Sequence, residues 1–80
     1  MAMQEESERD IYRQFFRVIR RDIWYLHFII ESYEGLATVS TVDPKKGIVQ
    51  IMTPVSRVDD MTVLLRELAK DIILQELTEV

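Results

Sequence analysis

The hydrophobic pattern between residues 22 and 34 predicts an amphipathic helix. Apolar side chains recur there at the three- and four-residue spacing of one buried stripe, at Ile23, Leu26, Ile30 and Tyr33. Asp22 can accept hydrogen bonds from the free N–H groups of a first helical turn, and Gly35 can adopt the left-handed conformation that closes a last turn. We therefore expect the helix to begin at Asp22 and to end near Glu34.

After the helix the pattern changes to alternation, which predicts a β-hairpin. Residues 36–42 are rich in β-branched side chains, which would alternate between the two faces of a strand, and residues 48–53 resume this arrangement. Between them, residues 43–47 (DPKKG) supply a fixed φ at Pro44 and a residue free to adopt positive φ at Gly47. This combination is typical of two antiparallel strands joined by a tight turn.

Residues 11–20 (IYRQFFRVIR) fit two alternatives. Their aromatic and β-branched content favours a strand, whereas their spacing would also extend the first helix back to Ser7. That helix would have about 27 residues, far more than the usual ~11 to 12, so we predict a strand. One face then carries Tyr12, Gln14, Phe16 and Val18, and the other carries Arg13, Phe15, Arg17 and Ile19.

A second helix is predicted after Pro54, which ends the third strand. Ser56 and Asp59 have the spacing of a capping box, so this helix should begin near Arg57. Its buried stripe consists of Val58, Met61, Leu65, Leu68 and Ile72. Residues 1–10 lack a periodic apolar pattern and are predicted to be a disordered tail, and residues 78–80 are expected to fray.

The order of these elements predicts a single α+β domain over residues 11–80, with the arrangement βαββα. Both helices would cover one face of a three-stranded sheet, and the long first connection favours strand 1 parallel to a hairpin strand. The other face and at least one edge would stay uncovered, and an uncovered sheet needs a partner. We therefore expect a homodimer.

Composition narrows the classes of protein that fit. The chain has 80 residues, of which 48% are hydrophobic and 30% charged, so its core is small and would gain from oligomerisation. Without cysteine it has no disulfides or thiolate metal site, and its acidic first residues are unlike a signal peptide. No apolar run approaches the ~20 residues of a membrane span. We expect a cytoplasmic protein without a membrane segment or cofactor, and the net charge of −4 argues against general affinity for nucleic acid.

The segment from Arg20 to Gly47 carries a characteristic set of residues: Arg20, Asp22, Ile23, Tyr25, Leu26, Phe28, Ile29, Glu31, Tyr33, Glu34, Gly35, Leu36, Val39, Thr41, Asp43, Pro44 and Gly47. With this set the segment resembles a family of short, uncharacterised bacterial proteins, a domain of unknown function. This resemblance covers nearly the whole chain from Ile11 and implies a stable fold without assigned chemistry. The topology is similar to the ferredoxin-like plan without its last strand and to ACT domains, which bind amino acids near the first βα turn. ACT sites favour a glycine in that turn, where this chain has Arg20, Arg21 and Asp22.

Catalytic signals are weak throughout the sequence. His27 is the only histidine, and its apolar neighbours make a structural role more plausible than metal binding or general base catalysis. Glu31 and Glu34 lie one turn apart and form, on our interpretation, a solvated helix end rather than a cation site. Two glycines are too few for a phosphate-binding loop. We therefore predict that the protein is not an enzyme.

Two groups of residues are candidate contact sites. Four arginines and one phenylalanine in and just after the first strand would contact a small molecule or RNA: Arg13, Phe15, Arg17, Arg20 and Arg21. The alternative is that these arginines pair with acidic residues such as Glu31, Glu34, Asp59 or Asp60, or lie at the rim of a dimer. Three aromatic residues of the first helix would contact a partner chain: Trp24, Tyr25 and Phe28. The alternative is that Trp24 caps the domain's own core.

From the sequence we therefore predict a small non-enzymatic dimeric module that acts in binding or regulation. One alternative is an amino-acid-like small-molecule sensor with its ligand near Arg20–Asp22. The other is an RNA-binding module that uses Arg13, Phe15 and Arg17.

Overall fold

The computed structural model describes residues 10–78 and contains four strands and two helices. The strands are β1 (Ile11–Arg17), β2 (Thr38–Asp43), β3 (Ile48–Pro54) and β4 (Gln75–Leu77). The helices are α1 (Ile23–Glu31) and α2 (Val58–Leu68), and each follows a short 3-10 turn, Arg20–Asp22 and Val55–Arg57 respectively. The order along the chain is βαββαβ.

All four strands form one antiparallel sheet in the order β2-β3-β1-β4. The two central strands are β1 and β3, and Phe16 lies opposite Val49 in their register. The strand β2 runs parallel to β1 but does not pair with β1, because β3 lies between the two strands. This element order and strand order are those of ferredoxin-like folds.

The prediction of a three-stranded sheet without a last strand was wrong, because β4 pairs with β1 through Phe15, Phe16 and Arg17. The strand β4 has only three residues, QEL, which is too short to show alternation. The apolar stripe had also suggested that α2 continues to Ile72. The helix ends at Leu68 instead, and a turn carries Ile72 into the core with 8% of its surface exposed.

The strand alternative for residues 11–20 is confirmed over Ile11–Arg17. Successive side chains of this strand lie on opposite faces of the sheet. Phe16 belongs to the core, at 5% exposed, whereas Phe15 lies opposite Gln50 on the other face and is half-buried. A helix could not send these adjacent rings to opposite sides.

The core lies between the two helices and one face of the sheet. Both helices contribute to it, as do the three longer strands. Its members are Phe16, Val18, Ile23, Leu26, Ile30, Leu36, Val39, Val49, Ile51, Met61, Leu68 and Ile72. The opposite face, here called the open face, has no helix over it in the part of the chain that the structure describes.

The predicted helix caps are not formed by side chains. Asp22 precedes α1 without a side-chain capping hydrogen bond, and α2 begins at Val58 after Arg57, also uncapped. The first helix ends at Glu31, before the predicted Glu34. Each helix is preceded by a 3-10 turn, whose hydrogen bonds satisfy some of the first backbone N–H groups that a capping side chain would otherwise satisfy.

The predicted tail, residues 1–10, lies outside the described residues except for Asp10. The Asp10 carbonyl accepts a hydrogen bond of 2.8 Å from the Val55 N–H, so the chain is attached to the domain from that residue onward. Of the predicted fraying segment 78–80, residues 79–80 also lie outside the description.

Candidate functional site

The outer side of α1 exposes three aromatic side chains, here called the aromatic surface: Trp24, Tyr25 and Phe28. Trp24 is 74% exposed and Phe28 70%, and Tyr25 is 41% exposed. Trp24 and Phe28 are four residues apart, and Tyr25 and Phe28 three, so the three rings share one side of the helix. The alternative that Trp24 caps the domain's own core is wrong, because its ring lies mostly in solvent.

His27 connects α1 to the sheet beneath this surface. Its Nε2 lies 3.1 Å from the Thr41 Oγ1 of β2, and its Nδ1 lies 3.5 Å from the Glu31 Oε2. The Trp24 and His27 ring centroids are 5.2 Å apart and their planes are tilted by 43°. His27 therefore fixes the helix on β2 and supports one side of the Trp24 ring, which fits the structural role expected for it.

The sheet places Arg13, Phe15 and Arg17 together on the open face of β1. The β3 residues opposite them are Met52, Gln50 and Ile48 respectively. Both arginines are exposed and Phe15 is half-buried. The face thus has one aromatic ring between two cations, and β3 adds no second ring on which a base could stack.

The predicted ion pairs of the arginine cluster are absent among residues 10–78. Asp60 pairs instead with Arg57 at 3.0 Å, and Glu31 lies beside His27. In the described part of the chain, Arg13, Arg17, Arg20 and Arg21 make no ion pair with an acidic side chain. The cluster is therefore available to an anion from outside these residues.

A groove of about 490 Å³ lies where the 3-10 turn after β1 meets the β2–β3 turn. Its lining consists of Arg20, Arg21, Ile23, Trp24 and Pro44, and we call it the cationic groove. The structure thus joins residues that the sequence had assigned to separate sites, since Arg20 and Arg21 were ligand candidates and Trp24 an interface candidate. Pro44 had been taken only as a turn residue, and no sequence signal connects it to Trp24.

A second groove, of about 300 Å³, lies at the other end of the sheet. Its lining residues carry no charged side chain: Ile11, Gly35, Ala37, Thr38, Met52 and Pro54. The two grooves differ in that only the first combines guanidinium groups with an aromatic ring.

The described residues show neither a metal centre nor a membrane helix. No group of three or more His, Cys, Asp or Glu side chains within residues 10–78 could hold a metal ion. No helix in the same range is long and apolar enough to cross a membrane.

Fold and surface together define a small α+β domain with an antiparallel four-stranded sheet and an exposed aromatic helix. Within that class, the chain belongs to the family described as "Domain of unknown function (DUF4911)", whose model matches residues 16–72. The match runs from β1 to the residues just after α2 and covers more than half of the chain, and the family's description assigns no activity. Neither a search of the curated proteins nor a search of the solved structures finds a match.

Proposed function

We propose that this protein is a non-enzymatic homodimeric module, acting in binding or regulation, whose two copies meet through the aromatic surface. The observation that carries the proposal is the exposure of Trp24 and Phe28, at 74% and 70% of their surface. Large apolar side chains that lie together in solvent favour contact with another chain, because association removes them from water.

The size of the aromatic surface supports a dimer of modest area. With roughly 150–250 Å² for each aromatic side chain, the exposed parts of Trp24, Tyr25 and Phe28 amount to on the order of 400 Å² per chain. A standard interface buries about 800 Å² on each partner, so these rings would supply about half of one. A second copy presents the same surface, and a twofold axis would pack α1 against its own equivalent.

The interior side of α1 makes this surface rigid enough to serve as an interface. Leu26 and Ile30 are fully buried, and His27 ties the helix to Thr41 of β2. The aromatic side chains are therefore presented by a fixed helix, and less conformational entropy is lost on association. His27 is the chain's only histidine, and its contact with Thr41 gives it a structural role, which supports a non-enzymatic function.

The cysteine-free composition supports a cytoplasmic location within this proposal. Small exported domains depend in many cases on disulfides, whereas this chain of 80 residues has no cysteine. Fractionation of cells that produce the protein, with markers for each compartment, would test the location.

Light scattering behind a sizing column tests the dimer directly. Across a dilution series the wild-type chain should approach twice its monomer mass of 9.5 kDa at high concentration. Trp24→Glu and Phe28→Glu should each give the monomer mass, because a carboxylate would have to be buried in the interface. Val63→Glu is the matched control, since Val63 is an exposed apolar residue, at 58%, on α2.

The outcomes separate the possible interfaces. A monomer at every concentration would refute the dimer. A dimer that survives both α1 substitutions would move the interface to another surface, and a dimer split by Val63→Glu would point to α2.

A second candidate function, RNA binding on the open face, is favoured by the position of Arg13, Phe15 and Arg17 on one central strand. Both arginines are exposed and have no acidic partner among the described residues. A labelled single-stranded RNA should then bind with an affinity that falls steeply with salt and on Arg17→Glu. Absence of binding at low salt would remove this candidate.

A further inference from the structure

We propose that the cationic groove binds a mononucleotide, with the phosphate on Arg20 and Arg21 and the base against the indole of Trp24. This goes beyond the dimer and shares Trp24 with its proposed interface, so a mononucleotide and a second copy of the chain would compete for the indole. Nothing in the family's description assigns a ligand to this part of the fold.

The groove is built by two turns that are fastened to each other. The Val18 N–H donates a hydrogen bond of 2.8 Å to the Gly47 carbonyl, which holds the β2–β3 turn against the end of β1. Within that turn, the Asp43 Oδ1 accepts hydrogen bonds from the backbone N–H groups of Lys45 and Lys46, at 3.0 and 3.1 Å. Pro44 is thereby held in a fixed position on one side of the groove.

The charge around the groove favours an anion. The same two turns carry four of the chain's ten basic residues, Arg20, Arg21, Lys45 and Lys46. The Asp43 carboxylate already accepts two backbone hydrogen bonds, and no described acidic side chain pairs with either arginine. Guanidinium groups offer paired N–H donors that match the oxygens of a carboxylate or a phosphate, and the four cations of these two turns favour the more highly charged phosphate.

The aromatic side of the groove favours a planar group attached to that phosphate. Trp24 is 74% exposed, and a face of its indole is free for stacking while His27 lies 5.2 Å from its centroid. A base stacked on an aromatic side chain contributes substantially to affinity, and the contact tolerates different bases.

Trp24 is the chain's only tryptophan, so its fluorescence reports occupancy of the groove directly. The probes are AMP, GMP, CMP and UMP, with ribose 5-phosphate as the phosphate without a base and adenosine as the base without a phosphate. At least one mononucleotide should change the Trp24 emission saturably, and should bind at least about tenfold more tightly than ribose 5-phosphate or adenosine.

Substitutions then locate the site. Arg20→Ala and Arg21→Ala should each weaken mononucleotide binding by about tenfold or more, because each removes charge-assisted hydrogen bonds. Arg66→Ala is the matched control, since it removes the same charge from an exposed position on α2 that lines neither groove, and it should leave affinity unchanged. Circular dichroism of each variant checks that the fold is retained.

Phe28→Glu separates this proposal from the dimer, because Phe28 belongs to the aromatic surface but does not line the groove. If the groove is the site, this variant should bind the mononucleotide at least as tightly as the wild type, because loss of the dimer leaves the Trp24 indole free. No saturable signal with any of the four mononucleotides would overturn the proposal. Equal loss in Arg66→Ala and Arg20→Ala would also overturn it, since binding would then follow net charge. Equal affinity for ribose 5-phosphate would remove the base from the ligand.

Discussion

Gly47 offers a sharp test of how the β2–β3 turn is attached to β1. Both Gly47 and Gly35 have positive φ, of +73° and +76°. A Cβ at Gly47 would collide with the Val18 carbonyl oxygen, whereas a Cβ at Gly35 would meet only the Arg57 Nη1, at 4.0 Å. Gly35→Ala therefore measures the backbone strain alone, and Gly47→Ala measures the same strain plus the collision.

The magnitudes follow from these contacts. An alanine in the left-handed region costs about 1–2 kcal/mol at either site. At Gly47 the turn must also move away from Val18, which is buried with only 4% of its surface exposed. Overpacking of this kind costs about 1–3 kcal/mol. We expect Gly35→Ala to lower the free energy of unfolding by about 1–2 kcal/mol and Gly47→Ala by about 2–5 kcal/mol.

Urea unfolding of the wild type and both variants, followed by far-ultraviolet circular dichroism, measures the difference. A domain of this size has a free energy of unfolding of only about 4–12 kcal/mol, so Gly47→Ala should move the midpoint strongly. Equal losses at the two glycines would refute the reasoning, because they would show that the turn separates from Val18 without cost.

Three further predictions concern single side chains, and urea unfolding measures each of them. Thr53 is fully buried and its hydroxyl has no hydrogen-bond partner within the described residues, so Thr53→Val should leave stability unchanged or raise it by about 1 kcal/mol; a loss of that size would reveal a partner for the hydroxyl. A double-mutant cycle of His27→Ala and Thr41→Val should give a coupling of about 0.5–1.5 kcal/mol, and a coupling of zero would show that their 3.1 Å contact does not hold α1 on β2. Leu26→Ala should cost about 2–5 kcal/mol because Leu26 is fully buried, and a cost below 1 kcal/mol would mean that the core closes around the lost volume.

Much of the fold could be predicted from the sequence because its longer elements have clear periods. The β-branched content of residues 48–53 and the turn chemistry of Pro44 and Gly47 were sufficient for the hairpin, and the stripe from Ile23 to Ile30 was sufficient for α1. Local signals of this kind depend on residues only a few positions apart. They can therefore be recognised in the sequence without any knowledge of the tertiary structure.

The elements that were missed depend on distant contacts. The strand β4 is extended because β1 offers it an unpaired edge, and its three residues carry no period of their own. The cationic groove depends on the hydrogen bond between Val18 and Gly47, which brings Pro44 beside Trp24. No pattern within one segment can indicate a contact that exists only after two segments have folded together.

The sheet order has a consequence for how the chain folds during synthesis. Of the described strands, β1 is synthesised before the others and occupies a central position, and its two partners are β3 and β4. Phe15 and Phe16 therefore leave the ribosome before either of these partner strands is available, and contacts between such distant segments form slowly. The β2–β3 hairpin can close early by itself, so we expect it to serve as the template on which β1 and finally β4 assemble.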